Sequence, residues 1–97
     1  MMQLQYVLSP MAEEDLEDIW TYTAREWSVD QAKTYTNDII NMFEDIAAGK
    51  RDGRPVLVRA GYLKTLVGRH AIYFQARGEV IVIIRIMHQS MDVERHL

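Results

Sequence analysis

The sequence predicts an α+β fold in which an N-terminal strand is followed by a helical hairpin and a small antiparallel β-meander. The spacing of apolar residues is helical from Ser9 to Gly49 and becomes strand-like after Pro55. Turn residues separate the extended segments of the second half. The 97 residues contain no internal repeat, low-complexity tract or linker, so we expect a single domain over residues 1–97.

The first strand and the first helix are predicted between residues 3 and 27. Residues 3–8 alternate between apolar and polar side chains, as in a half-buried strand. Ser9 is a suitable N-cap, and Pro10 at the first helical position loses no hydrogen bond. One apolar stripe follows at helical spacing, and it consists of Ala12, Leu16, Ile19, Trp20, Thr23 and Trp27.

A second helix is predicted directly after the first, so that the two form a helical hairpin. Ser28 and Gln31 have the spacing of a capping box, in which each side chain can bond to the other residue's amide. Gly49 is suited to the C-terminal cap. The apolar stripe of this helix consists of Ala32, Tyr35, Ile39, Met42, Phe43 and Ile46.

Four extended segments are predicted after the loop that contains Asp52 and Gly53. They cover residues 56–60, 62–67, 71–75 and 80–87, and a tight turn at Arg77-Gly78 joins the last two. With strict alternation, even-numbered and odd-numbered residues of the last segment face opposite ways: Val80, Val82, Ile84 and Ile86 against Ile81, Ile83, Arg85 and Met87. Apolar residues on both faces predict a central strand, covered by the helices on one side and by something else on the other.

Composition excludes several classes of protein. The apolar share of 48% is that of a globular chain, and the absence of cysteine excludes disulfides, thiolate metal sites and thiol nucleophiles. The sequence lacks the pattern of a secretory signal, and its longest apolar run, residues 80–84, is too short to span a bilayer. We therefore expect a cytoplasmic protein that does not bind a membrane.

The net charge of −3 is the sum of an acidic first half and a basic second half of the chain. Residues 1–45 contain ten carboxylates and two basic groups, whereas residues 46–97 contain nine basic groups and four carboxylates. The carboxylates of the first helix lie opposite its apolar stripe, so we interpret them as a solvated face. The basic second half indicates an acidic or nucleic-acid-linked partner.

The candidate site residues are basic groups spread over consecutive strands. They are Arg54, Arg59, Lys64, Arg69, Arg85 and Arg95, with Tyr62 and His88 among them. Arg85 interrupts an apolar strand and needs a partner. It could bind a phosphate or carboxylate of a ligand, or it could form an internal salt bridge to Asp92 or to the acidic helices.

No metal site and no cofactor are expected. The three histidines, at positions 70, 88 and 96, have a spacing that fits no metal motif. The sequence also contains no glycine-rich phosphate loop and no G-x-S-x-G motif.

Several segments together resemble the ParE toxins of the RelE/ParE superfamily. The opening Ser9-Pro10-Met11-Ala12, the Gly68-Arg69-His70 segment and the ending match in order. The ending, residues 82–88 followed by Met91-Asp92, is similar to the family pattern I-x-I-x-R-I-L-H-x-x-M-D, with Met87 in place of the usual leucine. The resemblance covers nearly the whole chain.

This resemblance implies a toxin of a type II toxin–antitoxin module, a class associated with plasmid stabilisation. It implies neutralisation by a ParD-type antitoxin, a ribbon-helix-helix dimer with a flexible C-terminal segment, and poisoning of DNA gyrase without direct nucleic-acid binding. The surface expected to bind the antitoxin or the target consists of Arg54, Arg59, Tyr62, Lys64, Arg69, Ile81, Ile83, Arg85, Met87 and His88.

The alternative function is that of the RelE relatives, which cut messenger RNA on the ribosome. Arg69, Arg85 and His88 could supply part of such a catalytic set. The segment 54–67 contains no carboxylate, however, and no tyrosine follows His88. We therefore expect a binding toxin rather than an enzyme.

Overall fold

The computed structural model of the chain describes residues 4–97 and has the predicted α+β architecture. Its elements are, in chain order, β1 (Gln5–Leu8), α1 (Pro10–Glu26), α2 (Val29–Ala47), β2 (Arg54–Pro55), β3 (Leu63–Val67), β4 (His70–Arg77), β5 (Val80–His88) and α3 (Val93–His96). Gln3, the first residue of the predicted N-terminal strand, lies outside the described residues. No helix within residues 4–97 is long and apolar enough to cross a membrane.

The strands form one five-stranded sheet in the order β1-β5-β4-β3-β2. The segment from β2 to β5 is an antiparallel meander, as predicted, and β1 joins its far side parallel to β5. Arg77 pairs with Val80, so the turn between β4 and β5 consists of Gly78 and Glu79, one residue later than predicted. Gly78 has φ +62°, and glycine adopts this left-handed conformation without steric cost. β5 is thus a central strand, as predicted.

Both predicted helix starts are confirmed. The Ser9 side chain accepts a hydrogen bond from the Ala12 amide at 3.1 Å, and the Ser28 side chain accepts one from the Gln31 amide at 3.0 Å. Such caps satisfy amides that have no partner within the helix. The α2 stripe is also confirmed, because its members are buried or pack against the core. The α1 stripe is confirmed only in part: Trp20 is 38% exposed, and Trp27, which follows the helix, is 69% exposed.

Two apolar clusters lie on opposite faces of the sheet. The larger one lies between the helical hairpin and the sheet, and its most deeply buried members include Ile39, Phe43, Ile72 and Ile83. The smaller one consists of Val56, Ala71, Tyr73 and Met87, against which Tyr62, Met91, Val93 and Leu97 pack. The second face of β5 is therefore covered by the chain's own C-terminal segment.

A bulge in β5 overturns the predicted alternation of its side chains. Tyr73 pairs with Arg85 and Phe74 pairs with Ile83, so Ile84 is an extra residue on β5. Ile81 and Ile83 before the bulge and Ile86 after it all face the helices, whereas Met87 lies in the opposite cluster.

The expectation that Ile81, Ile83 and Met87 form an uncovered binding surface is therefore wrong for this conformation. Their exposed fractions are 5%, 0% and 1%. Ile81 and Ile83 lie on the face that the helices cover. The bulge moves Met87 to the other face, where the C-terminal segment covers it.

The predicted strand over residues 56–60 is also wrong. The extended pairing stops at Pro55, and the chain then forms a compact loop of residues 56–62, the β2–β3 loop. The Val56 amide donates to the Tyr62 carbonyl at 2.9 Å, which closes the loop. Val56 alone of residues 56–60 is buried, so alternation of apolar side chains in this short segment does not correspond to a sheet face.

Candidate functional site

A groove of about 810 Å³ opens between the helical hairpin and the adjoining ends of β4 and β5. Three of the predicted site residues, Arg69, Arg85 and His88, come together there. The other lining residues are Asp15, Asp18, Ile19, Tyr22, Thr23, Trp27, Gln31, Thr34, Tyr35, Asp38, Gly68, His70, Ile86 and Met91.

Arg85 forms an internal ion pair with the first helix. Its Nε donates to Asp15 Oδ2 at 2.8 Å, its Nη2 donates to Asp15 Oδ1 at 3.0 Å, and its Nη1 donates to the His96 carbonyl at 3.0 Å. The two side chains are only 12% and 13% exposed. The hydrogen bonds to Asp15 raise the pKa of Arg85 above its ordinary value, although burial acts in the opposite direction. Of the two alternatives for Arg85, the structure shows the internal one, with the acidic helix as partner.

Asp15 and Ser9 also complete the edge of β5. β1 pairs with β5 only from Val80 to Ile83, which leaves the later edge groups of β5 without a neighbouring strand. The Ser9 hydroxyl donates to the Ile84 carbonyl at 2.7 Å, and the Ile86 amide donates to Asp15 Oδ2 at 2.9 Å. These side chains satisfy backbone groups that would otherwise be costly to bury.

Tyr35 on α2 holds the turn between β3 and β4. Its hydroxyl accepts a hydrogen bond from the Arg69 amide at 3.1 Å, and it lies 2.6 Å from His70 Nδ1 and 3.2 Å from the Val67 carbonyl. Burial raises the pKa of Tyr35, so the hydroxyl stays protonated and can donate. Gly68 has φ +54°, and a Cβ there would lie 2.5 Å from the Tyr35 ring, so the close approach requires glycine.

His70 and His88 are register partners on adjacent strands, and their rings meet edge to face at 5.3 Å. Burial, followed by the charge of His88, lowers the pKa of His70 to about 4. His70 is therefore neutral near pH 7 and its Nδ1 can accept the Tyr35 proton. A neutral, hydrogen-bonded His70 is part of the groove wall.

His88 is exposed but partly engaged in a local turn. Its Nδ1 accepts a hydrogen bond from the Ser90 amide at 3.1 Å and lies 2.8 Å from the Ser90 hydroxyl. The His88 carbonyl accepts from the Met91 amide at 2.9 Å. These contacts fix the start of the C-terminal segment and leave Nε2 as the ring nitrogen that faces away from the turn.

The rim of the groove carries exposed aromatic and charged side chains. Tyr22 is 65% exposed and Trp27 is 69% exposed, and Arg69 is exposed at the β3–β4 turn. Sequence reasoning did not single out Tyr22, Trp27 or Tyr35 as site residues. Trp27 and Tyr35 belong to the predicted apolar stripes, and helical spacing equally predicts burial in a core. Tyr22 lies outside the stripe predicted for the first helix.

The groove is not lined by Arg54, Arg59, Tyr62 or Lys64, which belong to β2, β3 and the loop between them. Arg54 on β2 is the register partner of Lys64 on β3. The Arg59 guanidinium lies 5.5 Å from the centre of the Tyr62 ring, a cation–π arrangement. The predicted basic surface is thus divided into two separate regions. Within residues 4–97 no group of three or more His, Asp or Glu side chains could hold a metal ion.

Comparison with known proteins agrees with this geometry. Residues 6–93 match the family model described as ParE toxin of type II toxin-antitoxin system, parDE. Toxin ParE1 of Mycobacterium tuberculosis (strain ATCC 25618 / H37Rv) is 40% identical over 98 residues, which cover 99% of this chain and 100% of the relative. Toxin ParE1 of Caulobacter vibrioides is 40% identical over 93 residues, covering 95% and 96%.

Solved structures share the fold at lower identity. A structure described as the chromosomal ParDE TA system from P. aeruginosa superposes with a TM-score of 0.79 at 20% identity, covering 89% of this chain and 96% of that one. The toxin-antitoxin complex RelBE2 from Mycobacterium tuberculosis gives a TM-score of 0.67 at 17% identity, covering 91% and 100%. On the family match and the 40% identical relatives, this chain belongs to the ParE toxin family of type II toxin–antitoxin systems.

Proposed function

We propose that this toxin is neutralised by a ParD-like antitoxin and inhibits DNA gyrase by binding to it rather than by catalysis. The main support for binding rather than catalysis is that Arg85 is occupied by contacts within the chain. All three groups of its guanidinium donate within the chain, to Asp15 and to the His96 carbonyl. Only two of its five N–H groups are left for a ligand, and the side chain is only 12% exposed, so Arg85 is poorly placed to bind the phosphate of an RNA substrate.

The groove is the proposed site for the antitoxin segment. An extended segment needs a concave surface with apolar contacts, and the groove has aromatic side chains, Tyr22 and Trp27, at its rim. Arg69 can pair with a carboxylate of the segment, which favours rapid association and specificity. The P. aeruginosa relative is described as a ParDE system, which supports an antitoxin of the ParD type.

A supercoiling assay with purified gyrase and relaxed plasmid tests this proposal. We expect the toxin to inhibit supercoiling, and a ParD-like antitoxin that co-purifies with it to restore supercoiling near an equimolar ratio. Heat-denatured toxin is the control. Full supercoiling in the presence of a large molar excess of folded toxin would rule out gyrase as the target.

Ribonuclease activity is the second candidate, because Arg69, His70 and His88 line one groove. Mapping of transcript ends after expression of the wild type, Arg69→Ala and His88→Ala discriminates between the two. We expect unchanged transcripts together with arrested DNA synthesis. New transcript ends that appear with the wild type and disappear in both variants would instead establish RNA cleavage.

A further inference from the structure

The β2–β3 loop presents apolar side chains outward, and none of its residues lines the groove. Leu57 is 99% exposed and Val58 is 45% exposed. Single exposed apolar residues are common on protein surfaces, but a leucine that is almost fully exposed gains nothing from folding. Packing within the chain therefore does not explain why two aliphatic residues, Leu57 and Val58, are exposed side by side.

The loop is held in shape by its own backbone. Besides the closing bond from the Val56 amide to the Tyr62 carbonyl, the Arg59 amide donates to the Val56 carbonyl and the Tyr62 amide donates to the Arg59 carbonyl, both at 3.3 Å. Val56 is only 8% exposed and anchors the loop in the smaller apolar cluster. Gly61 has φ +83°, which allows the sharp return of the chain. A preorganised tip loses little conformational entropy when it binds.

The surroundings of the tip are basic and partly recessed. Arg54, Arg59 and Lys64 belong to the loop or to the strands that flank it. A hollow of about 490 Å³ lies beside Leu57 and Val58, lined also by Arg59, Val93, Glu94 and Leu97. Three basic groups and one carboxylate, Glu94, belong to this region. A protruding leucine with a mainly basic border is complementary to an apolar pocket with acidic residues at its edge.

We propose that Leu57 is the anchor by which this toxin engages its target, and that the occupant of the surface is a folded protein with an acidic-edged apolar pocket. The inference rests on the proposed function for the identity of that target. A folded partner fits because the tip projects and its backbone is closed by its own hydrogen bonds, whereas an extended antitoxin segment is bound by a concave surface such as the groove. The toxin thus separates antitoxin binding from target binding.

The test compares Leu57→Asp with Val29→Asp. Val29 is an exposed aliphatic residue (50%) at the first position of α2, where a carboxylate is favourable, so Val29→Asp controls for the same added charge outside the loop. We expect Leu57→Asp to weaken gyrase inhibition at least about tenfold, or about 1.4 kcal/mol. Its affinity for the antitoxin and its melting temperature should match those of the wild type, and Val29→Asp should inhibit normally.

Several outcomes would overturn the inference. Normal inhibition by Leu57→Asp would remove Leu57 from the target contact, and an equal loss of antitoxin affinity would show that the tip binds the antitoxin. Flotation of the wild type, but not of Leu57→Asp, with vesicles of anionic phospholipid would make the tip a membrane anchor instead.

Growth arrest in cells separates this inference from the proposed function. If the wild type arrests growth without inhibiting purified gyrase, gyrase is not the target. In that case, loss of arrest in Leu57→Asp with retention in Val29→Asp still supports a target contact at Leu57, and retention in both overturns it. A wild type that affects neither gyrase nor growth would overturn both proposals.

Discussion

Asp15 on α1 and Arg85 on β5 are separated by 70 positions in the chain and form a two-point ion pair, with N–O distances of 2.8 and 3.0 Å. Asp15 also accepts the Ile86 amide, and Arg85 also donates to the His96 carbonyl. The pair therefore joins the first helix, the central strand and the C-terminal helix. Arg85, which the sequence offered as a candidate ligand-binding residue, therefore has a structural role.

Removing the charge of Asp15 should destabilise the fold. We expect Asp15→Asn to lower the free energy of unfolding by about 2 kcal/mol, because Arg85 would keep its charge in a mostly buried position with a weaker partner. Asp18→Asn, an exposed carboxylate one turn away in the same helix, should cost less than about 0.5 kcal/mol. Urea denaturation of both variants measures the difference, and equal midpoints would contradict the structural role of the pair.

His70 should make stability depend on pH. Burial lowers the pKa of His70 to about 4 from 6.5, so the unfolded chain binds a proton that the folded chain does not. The contribution of His70 to stability is full above pH 6.5 and is lost progressively as the pH falls towards 4. His88 nearby disfavours a second positive charge, and Asp15 partly offsets it.

Urea denaturation at a series of pH values checks this prediction. His70→Asn, whose amide oxygen can still accept the Tyr35 hydroxyl proton, should be less sensitive to pH between 6.5 and 4 than the wild type. The carboxylates are common to both proteins, so their effect cancels in the difference. Parallel curves for the two proteins would show that His70 does not titrate in this way.

Two glycines with the same backbone requirement should differ in their tolerance of alanine. Gly68 and Gly78 both have positive φ, at +54° and +62°. A Cβ at Gly78 meets nothing within 4 Å, so Gly78→Ala should cost only the backbone strain, about 1 kcal/mol. Gly68→Ala should cost about 2–3 kcal/mol, because the new methyl group also displaces the Tyr35 ring. Thermal denaturation ranks them, and equal melting temperatures would mean that Tyr35 moves aside freely.

The two helix caps should also differ in their contribution to stability. Ser28→Ala removes only a cap, at a cost of about 1 kcal/mol. Ser9→Ala removes a cap and the hydrogen bond to the Ile84 carbonyl, so we expect about 2 kcal/mol. Chemical denaturation of the two variants is the measurement. A Ser28→Ala variant less stable than Ser9→Ala would contradict the importance of the bond to the bulge.

Most of the fold was predictable because its signals are local. The caps at Ser9 and Ser28 and the α2 stripe depend on residues three or four positions apart, and the change of period marks the start of the meander. The turn between β4 and β5 depends on one glycine. The parallel pairing of β1 with β5 and the bulge at Ile84 were not predicted, since both depend on contacts between distant segments.

The candidate site was predictable only in part, for the same reason. Arg69, Arg85 and His88 were expected near one another and do line one groove. The exposure of Ile81, Ile83 and Met87 was predicted wrongly for two reasons. The helices cover the face that carries Ile81 and Ile83, and the bulge moves Met87 to the other face, which the C-terminal segment covers. Trp27 was assigned to the core by spacing alone, yet it lies at the groove rim beyond the end of α1.

The sequence by itself determined the order of the first strand, the helical hairpin and the meander, the starts of the two long helices and the basic character of the second half. These properties follow from side-chain periodicity and from charges that do not depend on the rest of the fold. Only the tertiary structure decided that Arg85 pairs with Asp15, that Leu57 is exposed, and which residues line the groove. Such choices depend on distances between residues far apart in the chain, and those distances exist only once the helices have packed on the sheet.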